Sequence, residues 1–122
     1  MLRIIVRTVQ FFLRILKSEK LVRDKFEDGR HSKPVTRIAT DAEIPNLLDW
    51  KILEEVTELL ACLRAEKLQD AIGEFGDVYD VLDIRLERIL SHLGLHRDDF
   101  EKRRRMKSIK RGEFNERIVL IT

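Results

Sequence analysis

A chain of 122 residues with 24 basic and 22 acidic side chains has a net charge of only +2, so bulk electrostatics does not make it a polyanion binder. Its length suits one domain that buries roughly two thirds of the surface its unfolded chain exposes. Cys62 is the only cysteine, which excludes an intrachain disulfide. His31, His92 and His96 lack metal-ligand spacing and a partner nucleophile, which argues against zinc chemistry and triad hydrolysis.

Residues 1–18 stand apart from the rest. Arg3, Arg7, Gln10, Arg14 and Lys17 fall on one helical stripe, apolar residues cover the remainder, and no acid precedes Glu19. The pattern predicts an N-terminal amphipathic helix outside the main domain, which is assigned to 19–122. Its apolar runs are too short and interrupted to span a bilayer. Peripheral contact with an anionic membrane suits such a helix, but a packing role, as a subunit-contact helix or an extension outside the catalytic fold, is the favoured reading. Residues 26–40 read as loop, with Gly29, Ser32 and Pro34, and with a short strand predicted over 35–38. Thr40-x-x-Glu43 has the form of a capping box opening the next helix. Pro45 places the start of regular helix a few residues later.

Two apolar series follow. Leu48, Ile52, Val56, Leu59 and Leu63 run at helical spacing, and Leu68, Ile72, Phe75, Tyr79, Leu82, Leu86, Ile89 and Leu93 alternate steps of four and three. The step from 63 to 68 fits neither series, so the pattern predicts two helices folded into an antiparallel hairpin. Each helix carries carboxylates: Glu54, Glu55 and Glu58 on the first, Glu74 and Asp77 on the second. Residues three or four apart share a helix face. With the turn at Glu66, Glu58 lies level with Glu74, about 12 Å from the turn, and Glu55 lies level with Asp77. Like charges at about 4 Å repel by about 4 kcal/mol at an effective dielectric near 20. An all-oxygen cluster of this kind suits Mg²⁺ or Mn²⁺. In a chain that is 38% charged the competing reading is a solvated acidic face. Two clusters at matching heights favour the metal. Gly73 and Gly76 flank Glu74 and suggest a close approach there by a helix, metal or substrate. Trp50 and Tyr79 are candidates for stacking on a base, although aromatics at helical spacing usually fill cores.

Gly94 is the predicted stop of the second hairpin helix. Asp98 or Asp99 then opens a third helix that ends near Gly112. Lys102, Arg103, Arg104, Arg105, Lys107, Lys110 and Arg111 make it strongly basic. A second short strand is predicted over 117–121. The fold class expected is all-α, an oligomeric helical bundle. The third helix supports a rival reading as a nucleic-acid module. No aromatic interleaving or groove-reading pattern accompanies the cations, so nucleic acid ranks well below a hydrolase. A helical assembly protein without turnover is a third reading.

Glu54-Glu55-Val56-Thr57-Glu58, fifteen residues, and Glu74-Phe75-Gly76-Asp77 resemble the signature of the MazG-like all-α nucleoside triphosphate pyrophosphohydrolases. Lys20-Leu21-Val22-Arg23-Asp24-Lys25 and Lys33-Pro34-Val35-Thr36-Arg37 are similar to the opening of that superfamily's small single-domain, phosphoribosyl-ATP pyrophosphohydrolase-like branch. Lys107-x-x-x-Arg111-Gly112-Glu113-Phe114, followed by Arg117-Ile118-Val119-Leu120, is similar to its closing segment. Glu113 departs from the branch, which more often has a second glycine there. The resemblance covers about residues 19–121. It implies hydrolysis of nucleoside triphosphates between the α and β phosphates, giving monophosphate and pyrophosphate, with clearance of non-canonical nucleotides as a candidate role. It also implies that Glu55, Glu58, Glu74 and Asp77 hold Mg²⁺ (or Mn²⁺) and that Glu54 supports them or orients the water. Arg23, Lys25, Lys107 and Arg111 would then bind substrate phosphates, since no P-loop pattern is present. The expected partners are the nucleotide and a second copy of the chain, as a homodimer or higher oligomer, in the cytoplasm. Phosphoribosyl-ATP hydrolysis is the alternative activity.

Overall fold

A computed structural model describes residues 19–26 and 35–122; the amphipathic segment predicted over 1–18 lies outside them. The described residues are all-helical, with α1 (Ile44–Arg64), α2 (Leu68–Leu93) and α3 (Arg97–Arg111). The chain divides into two compact units, one ending at Arg85 and the other running from Leu86 to Thr122.

In the first unit, α1 begins at Ile44, with Pro45 in its first turn. Proline is tolerated there because that turn's N–H groups have no helical acceptor. The helix thus starts a few residues after Thr40, as Pro45 implied. The Thr40–Glu43 pair does form: Glu43 Oε2 accepts from the Thr40 backbone N–H at 2.8 Å and from its hydroxyl at 3.0 Å. It closes the turn that precedes α1, and Glu43 is the N-cap residue. Arg37 bridges this turn to the opening segment, donating to Glu43 at 2.7 Å and to Glu19 at 2.5 Å.

At its other end α1 stops in a six-residue turn. The Lys67 N–H reaches the Cys62 carbonyl at 3.0 Å, the Glu66 N–H reaches that of Leu63 at 3.2 Å, and Glu66 has φ of +57°. This Schellman arrangement normally recruits glycine for its left-handed residue. The turn therefore falls at the residue the hairpin register predicts, although no glycine marks it.

Two tie points show that α1 and α2 are antiparallel. Arg85 Nε donates to Asp49 Oδ1 at 2.6 Å, and Glu74 lies beside Glu55 and Glu58. Leu48, Trp50, Leu59 and Ala71 are the buried apolar residues among those described in this unit. The face of α2 withdrawn from solvent is Ala71, Glu74, Val78, Val81 and Arg85. The longer apolar series from the sequence lies one residue out of phase with this face. Leu68, Ile72, Phe75, Tyr79 and Leu82 stay 44–72% exposed. A step of one residue turns a helix by about 100°, enough to move a stripe from the interface to the surface.

In the second unit Gly94, at φ +68°, ends α2 with the Leu95 N–H bonded to the Leu90 carbonyl at 2.8 Å. The third helix starts at Arg97, with His96 as N-cap, and Asp99 accepts from the His96 backbone N–H at 2.8 Å. Asp99 therefore caps the helix from its first turn and does not precede it. Arg97 pairs with Glu87 at 2.5 Å, and Arg104 lies over the Phe100 ring. Gly112, at φ +74°, follows the last turn as predicted. Among the described residues no strand is present: 35–38 and 117–121 have no ladder, and Val35, Ile38 and Ile118–Ile121 are almost fully exposed.

Candidate metal centre

The site is built where the hairpin brings three carboxylates together. Glu55, Glu58 and Glu74 each present an oxygen within 4.8 Å of the others, the one such group of three among the described residues. Glu55 and Glu58 share a face of α1, and Glu74 enters from α2 at the height the turn at Glu66 dictates. Glu55 is only 7% exposed, and Glu55 Oε2 and Glu74 Oε2 are out of water without a hydrogen-bond partner. A buried acceptor in that condition costs about 1–3 kcal/mol, and more when it is charged. Hard oxygen donors lacking a cation are the chemistry that Mg²⁺ or Mn²⁺ satisfies, so the residues present fit such an ion.

The titration of the cluster reflects its crowding. Burial, followed by the charges of Glu55, Glu74 and Glu54, pushes the Glu58 carboxyl up to about 7. Glu74 is raised as well, by burial first and then by Asp77 and Glu55, while a hydrogen bond with Glu58 works against the rise.

Glu54 is placed differently. Its Oε1 accepts from Lys20 at 3.0 Å and its Oε2 from Lys51 at 2.9 Å. Burial would raise its pKa, but these two hydrogen bonds prevail and hold it below the usual carboxylate range. Lys51 also lies 3.2 Å from Glu55 Oε1. Burial works to discharge this lysine, yet Glu54 and Glu55 keep its pKa above the ordinary value. Lys51 was legible as one turn before both glutamates, at i,i+3 and i,i+4 spacing. Lys20 carried no signal beyond its place in the opening segment.

Asp77 stands outside the group of three. Arg23 Nη2 donates to Asp77 Oδ1 at 2.5 Å and to Asp80 Oδ2 at 2.9 Å. These two bonds, the one to Asp77 first, raise the arginine's pKa above its ordinary value. Asp80, one turn beyond Asp77, went unnoticed in the sequence because a third acid on a charged helix is unremarkable. Of the other cations assigned to phosphate, Lys25 lies in the turn after Arg23, exposed to solvent. Lys107 and Arg111 lie on α3 in the second unit, also exposed.

Trp50, 2% exposed, is a core residue, whereas Tyr79 lies on the surface stripe of α2. A Cβ added at Gly73 or Gly76 would meet nothing within 4 Å, so within the described chain nothing approaches α2 there. Cys62 is a free, half-buried thiol.

Compared with protein-family models, with curated proteins and with solved structures, the chain matches none. No helix among the described residues is long and apolar enough to cross a membrane.

Proposed function

We propose that this protein is a Mg²⁺-dependent nucleotide pyrophosphohydrolase that splits nucleoside triphosphates at the α–β anhydride. The observation that carries the reading is the meeting of Glu55, Glu58 and Glu74 across the hairpin, with Glu55 Oε2 and Glu74 Oε2 buried and unpartnered. The sequence resemblance supplies the reaction. Glu55, Glu58 and Glu74, joined by Asp77, would hold the ion, which when bound neutralises phosphate charge and lowers the pKa of water. Glu54, with both oxygens engaged, acts as a positioning residue that fixes Lys20 and Lys51 beside the cluster. Arg23 can grip phosphate in a bidentate fashion, whereas Lys25 and Lys107 act as point charges; Arg111 completes the set carried over from the resemblance.

The same reading takes the active form as a homodimer working on the cytoplasmic nucleotide pool. Leu68, Ile72, Phe75, Tyr79 and Leu82 leave a stripe on α2 of about 500 Å², the upper range for a monomer's largest apolar patch. Two copies packed stripe to stripe would cover about 1,000 Å², the threshold of a specific interface. A second copy suits the stripe because steps of four and three are the spacing by which one helix seats against another of the same repeat.

The test is pyrophosphate release from a panel of nucleoside triphosphates, with Mg²⁺ and with chelator. Metal-dependent release with monophosphate as co-product is the expected result. Metal binding without release from any triphosphate would move the activity to phosphoribosyl-ATP. Absence of both would leave a helical assembly protein.

A further inference from the structure

The three glutamates converge, but Asp77, on the same face of α2, is held by a side chain from another part of the chain. The opening segment 19–26 reaches the acidic helices through two cations: Lys20 on Glu54 and Arg23 on Asp77 and Asp80. Its other anchor is also ionic, Glu19 on Arg37. Side chains of this segment are exposed apart from Leu21 and Val22, which are half-buried. Charge therefore contributes much of what holds the segment, and an added cation competes directly with that charge. Arg23 delivers a single nitrogen to two carboxylates one helical turn apart, so it neutralises Asp77 while keeping it engaged away from the glutamates.

Building on the metal-dependent reading above, we propose that Arg23 is a latch. It occupies Asp77 and Asp80 when no divalent cation is present and gives up Asp77 as the ion binds, which frees the guanidinium for an anionic phosphate group. Metal loading and phosphate capture are then coupled through one side chain. An arginine suits both states, because its planar fork bonds carboxylate and phosphate oxygens alike.

The test is Mn²⁺ binding by titration calorimetry on the full chain, comparing wild type with Arg23→Gln and Lys25→Gln. Both substitutions remove one positive charge from the same exposed segment. The effect of a charge on exposed groups falls off over about 10 Å at 0.1 M salt, so Lys25→Gln reports the segment's diffuse charge, and the exchange measurement separates release of the latch from loss of a nearby charge. The latch predicts tighter Mn²⁺ binding in Arg23→Gln by about three- to fivefold, the scale of an exposed ion pair, and little change in Lys25→Gln. Hydrogen–deuterium exchange across 19–26 should rise on Mn²⁺ addition in wild type and be high from the outset in Arg23→Gln. Equal affinity shifts in the two variants, or exchange that Mn²⁺ leaves unchanged in wild type, would refute the latch while leaving the metal site intact. Failure of wild type to bind Mn²⁺ at all would overturn both the latch and the metal-dependent reading.

Discussion

Replacing Glu58 by glutamine should stabilise the metal-free protein and destabilise the metal-loaded one relative to wild type. The folded carboxyl titrates at about 7 against an ordinary value of 4.5. That difference corresponds at face value to about 3 kcal/mol against the ionised form. Glu58 is more than a third exposed, so solvent screening reduces the effect to about 1–2 kcal/mol. The amide keeps the size and a hydrogen-bonding end but removes the repulsion from Glu55 and Glu74. Thermal unfolding at pH 8 in chelator should then show a midpoint about 5 °C higher for Glu58→Gln. Saturating Mg²⁺ reverses the order. At one hundred times its dissociation constant an ion adds about 2.7 kcal/mol to a protein that binds it. A site deprived of one charged ligand forfeits most of that gain. A variant less stable than wild type in chelator would show that Glu58 is a packing residue with no repulsion to relieve. A variant that keeps the full Mg²⁺ shift would remove Glu58 from the site.

The same titration sets a pH dependence. Between pH 4.5 and 7 the folded state holds more protons at Glu58, so stability in chelator should fall as pH rises through that window and level off above it, and Mg²⁺ should flatten the slope. The hydrogen bond from Arg37 holds Glu43 down to about 2, so its contribution is present above 4.5 and lost as pH falls toward 2. A stability maximum near pH 4.5–5 follows, readable from melting curves across buffers; a maximum at pH 8 in chelator would contradict it. Gly76→Ala should raise metal-free stability by about 0.5–1 kcal/mol, since its Cβ would meet nothing, and a lowered midpoint would reveal a neighbour on that side of α2. Ile72→Glu, at a position 65% exposed, should yield a folded monomer in light scattering where, under the proposed function, wild type should run as a dimer. An unchanged mass would move the interface elsewhere.

The hairpin was legible because two independent periodicities break between Leu63 and Leu68, and because antiparallel helices pair heights around a turn. Glu66 taking the left-handed position without being glycine shows that register, more than local preference, decided where the chain reverses. The convergence of Glu55, Glu58 and Glu74 followed from that register. The placement of Asp77 did not, because its partner Arg23 lies fifty-four residues away, and no periodicity connects an exposed opening segment to a helix face. The absence of a ladder at 35–38 and 117–121 has a related reason. Alternating or β-branched residues at 35–38 and 117–121 describe what a strand prefers, but a strand also needs a neighbour to pair with, and composition carries no information about that.

The two faces of α2 connect the candidate site to assembly. Ala71, Glu74, Val78, Val81 and Arg85 turn toward α1, while Leu68, Ile72, Phe75, Tyr79 and Leu82 turn to solvent. Among the described residues, the helix that carries Glu74 and Asp77 is thus gripped on one side, by a face whose members include a small residue, a carboxylate and an ion-paired arginine. Repulsion within the cluster pushes Glu74 away from α1, and the few apolar contacts of that face oppose it. A second copy against the outer stripe would add packing on the exposed side of α2 and resist that displacement. Under the proposed function, dimerisation and metal binding should therefore favour each other. The coupling is reciprocal. Mg²⁺ should tighten the dimer by the factor by which dimerisation tightens Mg²⁺, and Glu58→Gln should weaken that link without touching a single residue of the stripe.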